Sequence, residues 1–394
     1  MSRQQNLFTT SQARFHELKQ MDYLPPFRIL LNQLMVDPEF SDLTKNSNEK
    51  HQIKKYLVEM LPRVGVKTLW FVQRLVMFVF RIIFTRLIAL DTEVLKNLPA
   101  LNKKYSLVFV ANHRSNVDYL FLGITLLKFR INMGHSVANL KINIFPFGYL
   151  FRKAGAFFVR QGERDFLYRE LITRFAHFLK RRRHNLIIFP EGGLSPDGKW
   201  RQLKTGFLTS FLSKHPEPVA LVPVYMAYDR VPEDRNLVKK NNHHPEHLRY
   251  FWNKLKMFAF LQSYRSAYIR FEKPILIEEP ITKSQTKEKL EQIFDQFSKN
   301  PILTPMMLVS QYLIENQNVA IELGLLKKHF ENQLKKYASL VCFGRSSYSW
   351  LEKELFVRNI LQKAPSGQVV LNPNEIPLLK YYVNQGHFEV SYTI

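Results

Sequence analysis

The stretch KYSLVFVANHRSNVDYLFL, residues 104–122, decides how the rest of the chain is read. It opens on an apolar run, Leu107-Val108-Phe109-Val110, that has the length and composition of a buried strand. It closes on an apolar stretch, 119–129, long enough for a helix. Between them stand His113, Arg114, Ser115 and Asp118. Such a cluster of polar groups directly behind a buried-looking strand calls for an explanation.

His113 and Asp118 form an H-x4-D spacing. On one continuous helix they would lie roughly 140° apart, so they pair only if the backbone turns between them. Given that turn, Asp118 orients the imidazole and stabilises its cation. The other ring nitrogen is left to take a proton from a hydroxyl. On the spacing alone, the competing reading is favoured, in which Asp118 caps a helix and His113 is an ordinary loop residue.

Outward from this stretch, strands alternate with helices. The runs 155–160, 185–190, 218–228 and 266–280 read as strands, and 163–183 as a helix whose last turn is cationic. The alternation predicts an α/β fold, a mixed sheet flanked by helices. Four regions are expected: an N-terminal helical region, 1–60; an interfacial membrane helix, 61–92; a catalytic domain, 93–281; and a mostly helical C-terminal region, 282–394.

Composition narrows the partners. The chain has 394 residues, with 57 basic and 33 acidic side chains, a formal charge of +24. Such an excess calls for a polyanionic partner, either nucleic acid or an anionic membrane surface. The single cysteine, Cys342, excludes an internal disulfide framework and fits a reducing compartment. The first residues carry no signal-peptide pattern, so a cytosolic orientation is expected.

Residues 64–90, VGVKTLWFVQRLVMFVFRIIFTRLIAL, carry a stripe holding Lys67, Arg74, Arg81 and Thr85, and nearly everything else is apolar. Seven-residue steps drift by only about 20° on a helix, so these four share one face. No uncharged run reaches the roughly 18–20 residues of a spanning helix. The pattern predicts one helix lying in the membrane interface, its cations toward phosphate headgroups. A protein bound to the membrane from one side, at the cytoplasmic face of a bacterial inner membrane, is the corresponding localisation.

Four blocks in fixed order resemble the glycerol-3-phosphate and dihydroxyacetone-phosphate acyltransferases, the bacterial glycerol-3-phosphate enzymes above all. They are NHRSNVDYLFL (112–122), ANLKINIFPFGYLFRKAGAFFVRQ (138–161), IIFPEGGLSPDGKWRQLKTG (187–206) and LVPVYMAYDRVPE (221–233). The resemblance implies the glycerolipid acyltransferase fold and transfer of a fatty acyl group to the sn-1 hydroxyl of glycerol 3-phosphate. Acyl-CoA or acyl carrier protein would be the donor, and no metal or other cofactor is needed. It implies His113 as general base and Asp118 as its partner. The implied substrate contacts are Arg114, Ser115, Phe157, Arg160, Glu191, Gly192, Gly193, Ser195, Lys204 and Pro223. Arg160 would hold the acceptor phosphate, since a guanidinium suits bidentate phosphate contact. Glu191 would accept hydrogen bonds from the glycerol hydroxyls, and amides near Gly192 and Gly193 would meet the developing oxyanion. Leu194 and Gln161 stand where the family pattern commonly has basic residues. Lysophosphatidate, dihydroxyacetone phosphate or another lysolipid is the alternative acceptor. A non-catalytic basic protein binding membrane or nucleic acid is the alternative of another class, although no nucleic-acid-binding module is recognisable. The histidine-rich run 241–248 contains Pro245, which breaks the helix a metal site would need.

Overall fold

The structure is a computed structural model that describes residues 5–7, 18–19, 21, 23–44, 47–143, 147–160, 162–239 and 264–386. The histidine-rich run 241–248 and Gln161 lie outside these residues.

Among the described residues, nine strands form one sheet. They are β1 (Gln5–Asn6), β2 (Phe84–Leu90), β3 (Ser106–Ala111), β4 (His135–Asn139), β5 (Ala156–Val159), β6 (Leu186–Ile188), β7 (Val219–Tyr228), β8 (Tyr264–Phe271) and β9 (Ile275–Ile277). The spatial order is β1-β2-β8-β7-β3-β6-β4-β5, with β9 beside β7. Strands β7, β3, β6, β4 and β5 are mutually parallel. β8 pairs antiparallel with β7, and β2 runs parallel to β8, so the sheet is mixed, as expected.

β3 and β7 are buried along their whole length. Both faces are therefore covered, which is why these strands read as unbroken apolar runs. Pro223 lies inside β7, opposite Val110 of β3. A proline is tolerated there because β9 pairs only with residues 219–221 and β8 only with 224–228. Pro223 falls between the two partners, where the ladder is interrupted anyway.

The apolar segment 64–90 is not one helix. The helix runs Val66–Ile83, and 84–90 is strand β2. β2 is flanked on both edges and its residues 87–90 are buried, so its sequence is as apolar as the helix before it. A fully buried strand cannot be told from a helix by periodicity. The sheet thus begins before residue 93. No described helix is long and apolar enough to cross a membrane.

The described part of the segment after 282 is mostly helical, and its last described element is the helix Ile376–Gln385. Its Leu379, Tyr381 and Tyr382 are buried in the same core as Phe109 of β3 and Phe121 of the helix Asp118–Lys128. A small hairpin, β10 (Leu361–Lys363) with β11 (Val369–Leu371), also belongs to this segment.

Candidate active site

β3 ends at Ala111 and the next helix starts at Asp118, which supplies the required turn. Asn112 anchors it: its side-chain amide donates to the Met226 carbonyl at 2.9 Å and its oxygen accepts from the Met226 N–H at 2.7 Å. The side chain extends the β3–β7 ladder by one residue and brings His113 out at the strand end.

The turn brings His113 Nδ1 to 2.9 Å from Asp118 Oδ2. The same oxygen accepts from the Arg114 and Ser115 backbone N–H groups at 2.7 and 2.9 Å. Asp118 Oδ1 accepts from the Tyr228 hydroxyl. Burial, reinforced by the Asp118 charge, pushes the Tyr228 phenol well above its ordinary pKa, so it stays a donor. The Asp118 carboxylate is fully buried and wholly ringed by donors, an arrangement that holds a charge inside a protein. With Asp118 as acceptor, the His113 proton sits on Nδ1 and the Nε2 lone pair is left for chemistry. The His113 side chain remains 19% exposed, and its ring lies against Phe189 at 4.5 Å between centroids.

Glu191 follows β6, the neighbour of β3. Its carboxylate is buried and takes both its contacts from the backbone: the His113 N–H at 2.8 Å and the Arg201 N–H at 3.3 Å. Glu191 ties the loop after β6 to the loop after β3. The Gly192 N–H donates to the Phe189 carbonyl at 2.9 Å, so that amide is already engaged. Gly192 has φ +65°, and a Cβ there would meet Lys204 Cδ at 2.6 Å. A Cβ on Gly193 would meet an Arg201 guanidinium nitrogen at 2.6 Å. The glycines let two cations lie over the loop that follows Glu191.

Other expected contacts are also internal. Ser115 Oγ donates to Glu233 at 2.6 Å, and the Asn116 amide donates to the same carboxylate at 3.1 Å. Arg114 is buried, its guanidinium 4.0 Å from the Trp200 ring centroid and donating to the Gly198 carbonyl at 3.2 Å. Ser195 Oγ donates to Asp197 at 2.9 Å. Phe157 is fully buried, packed on Phe175 and Phe207, and is a core residue. Pro223 belongs to the sheet.

Arg160 follows β5 at the far edge of the parallel strands. Three strand spacings of about 4.8 Å separate β5 from β3, so the two strand ends lie roughly 14 Å apart. Its guanidinium forks onto Glu59 at 2.7 and 2.8 Å, with Glu163 at 3.2 Å and the Tyr56 and Tyr168 rings beside it. Glu59 also lines a cavity of about 380 Å³ with Val58, Arg63, Asn143, Tyr149 and Arg152.

Sequence reasoning assigned no role to Tyr228, Glu233 or Glu59. The first two lie in the fourth quoted block, which was their only signal; Glu59 had none.

Residues 92–227 match the family model described as Acyltransferase. This span contains His113, Asp118, Arg160 and Glu191. The likeness is more particular than the class. The chain is 27% identical over 391 residues to the glycerol-3-phosphate acyltransferase of Colwellia psychrerythraea, covering 92% of this chain and 46% of that protein. It is 30% identical over 208 residues to that of Shewanella loihica, covering 52% and 26%. The chain thus spans about half the length, or less, of these relatives. A solved 1-acyl-sn-glycerophosphate (LPA) acyltransferase from Thermotoga maritima aligns at 17% identity and a TM-score of 0.30, covering 49% of this chain and 64% of that one.

Proposed function

We propose that the protein transfers a fatty acyl group from a thioester, acyl-CoA or acyl carrier protein, to the sn-1 hydroxyl of glycerol 3-phosphate. The observation that carries this reading is the 2.9 Å His113–Asp118 contact, with Asp118 saturated by donors, inside the matched acyltransferase span. His113 Nε2 takes the hydroxyl proton as the oxygen attacks the thioester carbon. The carbonyl oxygen gains charge, and the Gly193 amide is the candidate donor to it. The carbon–sulfur bond then breaks, and the thiolate leaves with the proton returned by the imidazolium. A thioester is already activated, so no covalent enzyme intermediate is needed.

The acceptor phosphate is drawn to the cations at this edge. Lys204 and Arg201 lie over the glycine loop, and Arg160 becomes a phosphate ligand when it exchanges Glu59 for the substrate. The cavity lined by Glu59, Arg63 and Arg152 adds room and positive charge beside that exchange. Glycerol 3-phosphate is favoured over lysophosphatidate by the names of the relatives.

On this reading the reaction takes place at an anionic membrane surface. On the helix Val66–Ile83, Phe71, Leu75 and Phe78 are exposed at 59%, 45% and 67%, with Lys67 and Arg74 exposed among them. Exposed aromatics and cations on one helix face suit insertion to headgroup depth. An acceptor panel with purified protein in anionic vesicles tests the reading: glycerol 3-phosphate should be acylated faster than dihydroxyacetone phosphate and lysophosphatidate. Preference for lysophosphatidate would reassign the acceptor, and no transfer to any would refute the enzymatic reading.

A further inference from the structure

Away from the acyltransferase site, three segments distant in sequence converge on one point. Glu39 comes from the short helix Pro38–Ser41, His177 from the helix Phe166–Arg181, and His215 from the loop after the helix Gly206–Leu212. One ligand atom from each lies within 4.8 Å of the other two. His215 Nε2 is 2.9 Å from Glu39 Oε1, and His177 Nδ1 is 3.9 Å from Glu39 Oε2. Ligands of a tetrahedral zinc ion sit about 2.0–2.2 Å from the metal, hence roughly 3.3–3.6 Å from one another, so small side-chain shifts close this set.

Three further observations bear on the cluster. Glu39 Oε2 is buried with no hydrogen-bond partner, and His177 as a whole is only 8% exposed. Unsatisfied buried polar atoms are uncommon and call for an explanation such as a bound ion. His215 holds φ +67°, a left-handed backbone that is uncommon outside glycine and accompanies functional geometry. Its loop is fixed by Lys180 Nζ, which donates to the Lys214 carbonyl at 2.9 Å.

The neighbouring cations are the obstacle. Arg181 is 3.6 Å from Glu39 but is forked onto Asp37 at 2.9 and 3.0 Å. Lys214 is 2.9 Å from Glu39, yet its side chain is 57% exposed and free to swing into solvent.

We propose that Glu39, His177 and His215 form a divalent transition-metal site of zinc type, with water completing the coordination. Two imidazoles and a carboxylate suit zinc and cobalt(II). By joining Glu39 to the helix Phe166–Arg181 and the loop after the helix Gly206–Leu212, the ion would staple the N-terminal helices to the acyltransferase domain. Metal entry displaces Lys214 from Glu39.

The test is chelator-stripped full-length protein titrated with Zn²⁺, and separately with Co²⁺ as a spectroscopic probe. One zinc per chain should survive gel filtration, Co²⁺ should give visible bands of tetrahedral intensity, and zinc should raise Tm. His177→Gln with His215→Gln should weaken zinc binding at least a hundredfold and abolish the bands. Lys214→Met, which keeps all three ligands, should tighten binding. Absence of cobalt bands in the wild type, zinc uptake unchanged in the double variant, or weaker binding by Lys214→Met would each overturn the proposal. The wild-type and Lys214→Met measurements stand even if the double variant does not fold.

Discussion

The two ends of one parallel sheet edge are built differently. After β3, the carboxylates of Asp118, Glu191 and Glu233 all face inward, and each is held by groups of the loops around His113. After β5, Arg160 is partly exposed and paired with Glu59, which belongs to a separate N-terminal helix, Ser47–Met60. A saturated buried network resists rearrangement, whereas an ion pair open to solvent contributes little and exchanges partners readily. On the proposed function the difference separates two tasks: the His113 end would fix the chemistry, and the Arg160 end would leave the grip on the acceptor adjustable.

Breaking the rigid end should have the largest effect. Asp118→Asn removes the acceptor that sets the His113 tautomer, and should lower kcat by roughly 10³–10⁴. It also disturbs four hydrogen bonds, three of them buried, so Tm should fall as well. A variant with near-normal turnover would mean that the network is structural only.

The adjustable end sharpens the contrast. Arg160→Ala should raise KM for glycerol 3-phosphate by roughly ten- to a hundredfold, the loss of a charge-assisted contact of about 1.5–3 kcal/mol, and leave donor KM unchanged. Glu59→Gln frees Arg160 and should lower acceptor KM, read from initial rates over a glycerol 3-phosphate series. A rise in KM with Glu59→Gln would show that the ion pair itself builds the site.

A smaller effect is expected outside both ends. Phe71→Ser with Phe78→Ser should reduce sedimentation with anionic vesicles several-fold, while turnover on a water-soluble donor stays intact. Unchanged sedimentation would move the membrane contact elsewhere.

The smallest effect concerns stability against pH. His184 is buried and its pKa is lowered to about 4, by burial and then by Arg182. The unfolded chain binds that proton near pH 6.5, the folded chain only near 4, so the stability present above 6.5 drains away as pH falls between them. His177 contributes in the same direction. Tm should decline through this window, and His184→Gln should flatten the decline in a thermal-melt series.

Much of the sheet was legible in the sequence. β3, β5, β6, β7 and β8 are short apolar runs bounded by polar or turn-forming residues, and the alternation with helices gave the class. β2 was read as helix because a strand buried on both faces loses its period of two. β4, His135–Asn139, is polar and only partly buried toward its end, so it sent no apolar signal. The His113–Asp118 contact was legible because both residues flank one strand-to-helix turn. The partners of Asp118, Ser115 and Arg160 were not: Tyr228, Glu233 and Glu59 lie 110, 118 and 101 residues away, and local periodicity carries no information about such pairings. For the same reason the internal partners of Glu191 and Ser195 and the buried packing of Phe157 carried no sequence signal.

The central claim is that the His113 imidazole takes the acceptor proton. His113→Ala, with folding verified by circular dichroism and sedimentation with anionic vesicles matched to the parent, should be assayed with labelled acyl-CoA and glycerol 3-phosphate. A fall in transfer rate of at least about a thousandfold, with vesicle binding unchanged, is the result predicted here. Transfer at the parent rate would contradict the account.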